Sequence, residues 1–135
     1  MISFLLAAMA AAAHPAPADP VVGTWMNRKG TVVVRTAHCG ASLCARIVWA
    51  DPAAQEAARA GGTEHLVGTE LFHDVRPAGQ GVWQGEVFVP DMGETAEATI
   101  TMTGPGELQI DGCRFGGLLC KQQFWHKIAA LPRGR

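Results

Sequence analysis

Between Val21 and Lys127 the chain is a succession of short segments in which apolar and polar residues alternate, closed by Gly, Pro or Asp about every ten residues. That spacing constrains the fold more than any other feature. A parallel strand pair needs a crossover of about a dozen residues or more, so the pattern favours antiparallel hairpins in a meander, sandwich or barrel over an α/β fold. Eight strands are expected: Val21–Asn27, Thr31–His38, Leu43–Ala50, Glu70–Arg76, Gly81–Val89, Glu94–Thr103, Gly106–Cys113 and Cys120–Lys127. Turn chemistry separates several of them at Arg28–Gly30, Pro77–Gly79, Pro90–Gly93 and Thr103–Gly106. In the third strand Leu43, Ala45, Ile47 and Trp49 alternate with Cys44, Arg46, Val48 and Ala50. In the sixth, Thr95, Glu97, Thr99, Thr101 and Thr103 form a wet face, and Ala96, Ala98, Ile100 and Met102 a dry one.

One segment breaks the period. Asp51–Gly61 has an N-cap Asp, Pro52 at the first helical position, an alanine-rich body and a terminal Gly. It predicts one short helix, too short to hold in water unless it rests on the remainder of the fold.

Eight antiparallel strands in about 115 residues suit a barrel, whose closure removes exposed edges, better than a large sandwich. The expected fold class is all-β: one antiparallel barrel of about eight strands over residues 19–135, with a short helix after the third strand. A barrel of this size is either filled by side chains or holds one small ligand. A hydrophobic fraction of 48% fits a packed globule. With 11 basic and 12 acidic residues spread without blocks, the chain lacks the electrostatic footprint of a nucleic-acid or anionic-membrane binder.

Residues 1–18 carry no Asp, Glu, Lys or Arg and open with Ile2, Phe4, Leu5, Leu6 and a run of alanines. This reads as a secretory signal, with small-x-small cleavage patterns at Ala11–Ala13 and Ala16–Ala18. Its apolar stretch is about 12 residues, short of the ~20 that a spanning helix needs. Periplasmic or secreted protein is therefore expected. In that setting Cys39, Cys44, Cys113 and Cys120 read as a disulfide framework. Each sequential pair brackets a turn-like segment between two strands, which favours pairing 39 with 44 and 113 with 120. Neither has the C-x-x-C spacing of a redox or zinc site.

Catalytic and metal chemistry find no foothold. His14, His38, His65, His73 and His126 lie on separate segments without an i,i+4 pair. Ser3 and Ser42 sit outside any G-x-S-x-G elbow, and Asp74, Asp91, Glu94, Glu97 and Asp111 show no acid–base spacing. No catalytic residue, metal or cofactor is expected, and the chain is not read as an enzyme.

Taken in order, Gly23-Thr24-Trp25, Cys39 through Trp49, Gly68-Thr69 with Leu71, Trp83-Gln84-Gly85, Pro90–Gly93 with Thr95, Leu108–Cys113, and Leu119-Cys120 with Gln123 and Trp125 resemble the family called domain of unknown function 2147, small secreted proteins of mainly Gram-negative bacteria. The resemblance implies a lipocalin- or calycin-like barrel and no established activity. Two positions depart from it: Ala96 stands where Tyr is common, and Lys127 where Arg is usual. The first change could enlarge an interior, and the second removes a bidentate anion fork. Gly23-Thr24-Trp25 is also similar to the Gly-x-Trp of lipocalins, whose indole closes one barrel end under a basic residue of the last strand. That similarity assigns barrel closure to Trp25 and Lys127.

Three strand faces supply candidate cavity residues: Trp83 and Gly85 with Val87 and Val89; Ala96, Ala98, Ile100 and Met102; and Gly112 with Leu108 and Ile110. If they point inward, their small members leave room for an apolar ligand, unless Trp49, Trp83 and Phe88 or Phe124 fill it. Two functional readings follow. One is a barrel binding a small apolar or amphipathic molecule such as a fatty acid or lipid, with Arg35, Arg46 or Arg114 available to an acidic head. The other is a filled barrel acting as a protein-interaction or structural module of the envelope.

Overall fold

The computed structural model describes residues 19–114, 117 and 119–133. The signal sequence expected over residues 1–18, its cleavage patterns, and positions 115, 116 and 118 lie outside the described residues.

Eight strands form one antiparallel sheet: β1 (Gly23–Asn27), β2 (Val32–Cys39), β3 (Ser42–Ala50), β4 (Phe72–Gly79), β5 (Val82–Val89), β6 (Glu94–Gly104), β7 (Glu107–Arg114) and β8 (Leu119–Lys127). Their order is β3-β2-β1-β8-β7-β6-β5-β4. The stretch before β4 curls the two edges together. Gly68 N donates to Ile47 O at 2.7 Å, Ile47 N to Thr69 O at 3.0 Å and Leu71 N to Ala45 O at 2.7 Å, with Arg46 bridging Glu70. A nearly closed barrel results. Because the strands alternate in direction, one barrel end gathers the start of β1 and the β2–β3 turn. The other gathers the β5–β6 and β7–β8 turns.

Helix α1 (Pro52–Ala60) follows β3, and the Asp51 carboxylate accepts from Ala54 N at 2.7 Å. Ala58 enters the core at 1% exposure, which is the support a nine-residue helix requires. Past its end, Thr63 Oγ1 donates to Pro90 O at 2.8 Å. A Cβ at Gly61 would stand 2.2 Å from Asp91 O, so glycine there lets the helix end seat on the β5–β6 turn.

The alternation holds along most strands and fails at irregularities. The β2–β3 ladder pairs Val33 with Trp49 and Val34 with Ile47, leaving Val48 unpaired. The extra residue reverses the parity, so Ala50 joins the core while Trp49 faces outward. The turn expected at Pro77–Gly79 is instead the last part of β4. Register shifts at His73/Arg76 and Pro77/Gly79 accommodate a proline that cannot donate to a ladder. Phe88 and Phe124 are half-buried and pair with Thr95 and Gln109 on outward faces; Phe124 carries the Arg28 guanidinium 4.2 Å from its centroid. The core is instead built on Trp25, Trp83, Trp125, Phe72, Ile47, Ile100 and Leu108.

Disulfides join Cys39 to Cys44 across β2 and β3, and Cys113 to Cys120 across β7 and β8. By the chain-entropy relation, loops this short contribute about 2–2.5 kcal/mol each. Peptide mapping of unreduced protein should recover these two linkages. A 39–113 or 44–120 peptide would require a different strand order.

Candidate functional site

The floor of the barrel is assembled at the start of β1. Trp25 is wholly buried, and its indole N–H donates to Val21 O at 3.2 Å and Thr36 Oγ1 at 3.1 Å. Thr36, only 1% exposed, donates to Val21 O at 2.6 Å and accepts from Gly23 N at 3.0 Å. One hydroxyl of β2 thus satisfies the indole and backbone groups of β1 and of the segment before it inside an apolar core. Lys127 pairs with Trp25 across the β1–β8 ladder and holds its ammonium 5.0 Å from the indole centroid, donating to Pro20 O at 2.6 Å. Gly23 makes room for it, since a Cβ there would meet Lys127 Cε at 3.0 Å. Trp25 and Lys127 therefore lie together at this end. Thr36 had a readable signal: it lies two residues on from Val34, at the end of the run Val32–Val34, and so shares its face of the strand.

The other end is different. The rungs across β5, β6 and β7 are Trp83–Ile100–Ile110 and then Gly85–Ala98–Gly112, with Met102–Leu108 below and Ala96 above. Ile100 and Leu108 are fully buried, and Trp83, Ala96 and Ala98 nearly so. Met102 and Ile110 pack against that cluster. Small residues form a belt at Gly85, Ala98, Gly112 and Ala96, and toward the end that carries the β5–β6 turn the same face continues with Val87 opposite Ala96 and then Arg114 and Glu94. Gly85 and Gly112 differ in kind. A Cβ at Gly85 would fall 2.6 Å from Asp74 O and 2.7 Å from Val75 Cα, so the bulged backbone of β4 already fills that position. Gly85 is thus corrected from a source of space to a point of close approach. At Gly112 a Cβ would meet nothing nearer than Ala96 Cβ and Glu97 O, both at 3.9 Å.

The β8 side of this end was not read from the sequence, although parity from Trp125 would have shown it. Trp125 pairs with Leu108, Gln123 with Ile110 and Lys121 with Gly112, and directly opposed residues share a face. Gln123 and Lys121 stand on the inward face yet are exposed, so solvent reaches this face of β8 beyond Trp125. β1 is too short to cover it. Its ladder with β8 stops at Asn27–Trp125, with one more bond from Arg28 N to Phe124 O at 3.1 Å. Trp125 Nε1, below that level, is buried without a hydrogen-bond partner among the described residues.

Arginine placement follows the same parity. Arg35 and Arg46 pair directly on the face opposite Thr36 and Ala45, and Arg46 bonds Glu70 through Nε at 2.9 Å and Nη2 at 2.6 Å. Both are outside. Arg114, two residues beyond Gly112, is on the inward face and ion-pairs with Glu94, with exposures of 22% and 51%. No group of three or more potential metal ligands occurs among the described residues.

Solved structures place this architecture. Protein HP1028 from the human pathogen Helicobacter pylori, which belongs to the lipocalin family, superposes with a TM-score of 0.62 at 12% identity, over 80% of this chain and 82% of that chain. A redesigned β-barrel, b11L5F_LGL, gives 0.48 at 12% identity over 82% and 93%. At such identity the likeness is one of fold alone. No curated protein matches the chain. The model of an uncharacterized protein family conserved in bacteria, DUF2147, matches residues 23–127, from the first residue of β1 to the last of β8, and the chain belongs to that family.

Proposed function

We propose that the protein is an exported binding barrel for a small apolar or amphipathic molecule such as a fatty acid or lipid, entering at the end opposite Trp25 and performing no chemistry on it. The observation that carries this reading is the belt of small inward residues, Ala96, Ala98 and Gly112, beside the exposed inward-facing Lys121 and Gln123 of β8. A lipocalin-like fold is compatible with such a ligand. Export is supported by two disulfides and by the apolar character of residues 1–18. Among the described residues no helix is long and apolar enough to cross a membrane.

Replacing Ala98 with leucine tests the reading, because its added methylenes take space a ligand would use. Binding of a fluorescent fatty acid should fall while thermal stability holds or rises. A filled core would instead be overpacked by the same change, at about 1–3 kcal/mol. That cost, in a parent protein that binds no lipid probe and carries no small molecule in native mass spectrometry, would sink the binding reading in favour of an interaction module.

A further inference from the structure

The inward rim is not neutral, and its charges are arranged around a gap. Lys121 stands directly opposite Gly112, and Arg114 is the next inward residue along β7. On adjacent strands such diagonal neighbours lie about 7–8 Å apart, a span that a single oxyanion can bridge with its two sides. Position 112 between them is glycine, and among the described residues only Ala96 Cβ and Glu97 O, both at 3.9 Å, come within 4 Å of where a Cβ would stand. Arg114 already holds an oxyanion of the protein, the Glu94 carboxylate, at the same rim. From these placements we infer that the ligand of the barrel is a single-chain amphiphile with an anionic head, a carboxylate or a phosphate, bound over Gly112 between Arg114 and Lys121, with its apolar chain against Ala96, Ala98 and Ile110.

Glu94 has a defined part in this arrangement. Its carboxylate competes with the ligand head for Arg114, so binding is an exchange of one oxyanion for another at the guanidinium and a net gain at Lys121. An uncharged head gains neither contact and leaves Arg114 on Glu94, and a cationic head is in addition repelled by Lys121. The guanidinium offers paired donors suited to either carboxylate or phosphate geometry. This inference rests on the binding-barrel reading and adds the class of head group to it.

The test uses four dodecyl probes that share a tail: lauric acid, dodecyl phosphate, dodecanol and dodecylamine, titrated into the disulfide-intact protein at low salt. The two anions should bind roughly tenfold or more tightly than the alcohol, the scale of one charge-assisted contact, and the amine more weakly still. Raising the salt should narrow the gap between anion and alcohol. Lys121→Gln should remove most of that gap while leaving dodecanol unchanged. Glu94→Gln should strengthen anion binding by releasing Arg114 from its competitor. Lys121 is exposed, so its variant folds even if one at Arg114 does not. Lauric acid bound more tightly than dodecyl phosphate, or the reverse, separates a fatty acid from a phospholipid-like source within the same class. Equal binding of acid and alcohol would overturn the head-group inference while leaving the barrel reading intact, and binding of no probe would overturn both. An anion preference untouched by Lys121→Gln and Glu94→Gln would place the recognition elsewhere and also overturn it.

Discussion

Replacing Trp25 with alanine is expected to lower stability by about 3–5 kcal/mol, the range for emptying a buried aromatic site, while leaving the ligand affinity of the surviving folded protein nearly unchanged. The indole is wholly buried and donates to both Val21 O and Thr36 Oγ1, so its loss opens a large cavity and strips a donor from the buried Thr36 hydroxyl. Lys127 loses the ring over which its ammonium sits at 5.0 Å, a contact worth about 0.5–2 kcal/mol in general. Lys127→Met should therefore reproduce only the smaller part of the loss. Urea unfolding reads both variants. The expectation of unchanged affinity follows from place, because Trp25 lies at the start of β1 and the rim residues lie at the far ends of β7 and β8. A Trp25→Ala protein that stays stable yet no longer binds would turn the barrel around and make the Trp25 end the pocket.

The strands and the helix were legible because their signals are local. Alternation, turn residues and the Asp51-Pro52 cap each act within a few residues, and the observed elements fall close to the expected bounds. Which way a given residue points was legible only as far as the ladder stays regular. At Val48 one extra residue turned Trp49 outward, and nothing in the alternation of Leu43 to Ala50 marks which residue will bulge. β4 shows the same limit, since Pro77 reads as a turn former locally while the sheet accepts it at a register shift. Volume is harder still than direction. Phe88 and Phe124, which could have filled the interior by size, sit on the wrong parity for it, and Trp125 carries part of that bulk instead. The charged rim was available from parity once Trp125 is taken as inward, since Gln123 and Lys121 precede it at intervals of two.

Glycine poses the sharpest form of the volume problem, and a paired substitution resolves it. Gly85 and Gly112 occupy one rung on either side of Ala98, and from sequence each is equally a source of space. A methyl group at position 85 would stand 2.6 Å from Asp74 O, 2.7 Å from Val75 Cα and 2.8 Å from Asp74 C. All three are backbone atoms, which cannot swing aside as the end of a side chain can. They belong to the bulge of β4, where Asp74 already holds a φ of +50°, a conformation that resists further adjustment outside glycine. Gly85→Ala must therefore push β4 off β5 along a ladder that forms part of the barrel wall. The expected cost is about 3 kcal/mol, at the upper end of overpacking and well beyond the ~0.4–1 kcal/mol an alanine returns by restricting the unfolded chain. Gly112→Ala meets only ordinary contacts at 3.9 Å and should change stability by less than about 0.5 kcal/mol. The same methyl group at 112 nevertheless enters the space between Arg114 and Lys121, so its expected effect is on binding of an anionic probe rather than on folding. Chemical denaturation and lauric acid titration of the two variants should thus give opposite profiles, one unstable and the other stable but weak in binding. Equal tolerance of both substitutions would mean that β4 stands away from β5 in solution, and Gly85 would then count again as part of the ligand's space.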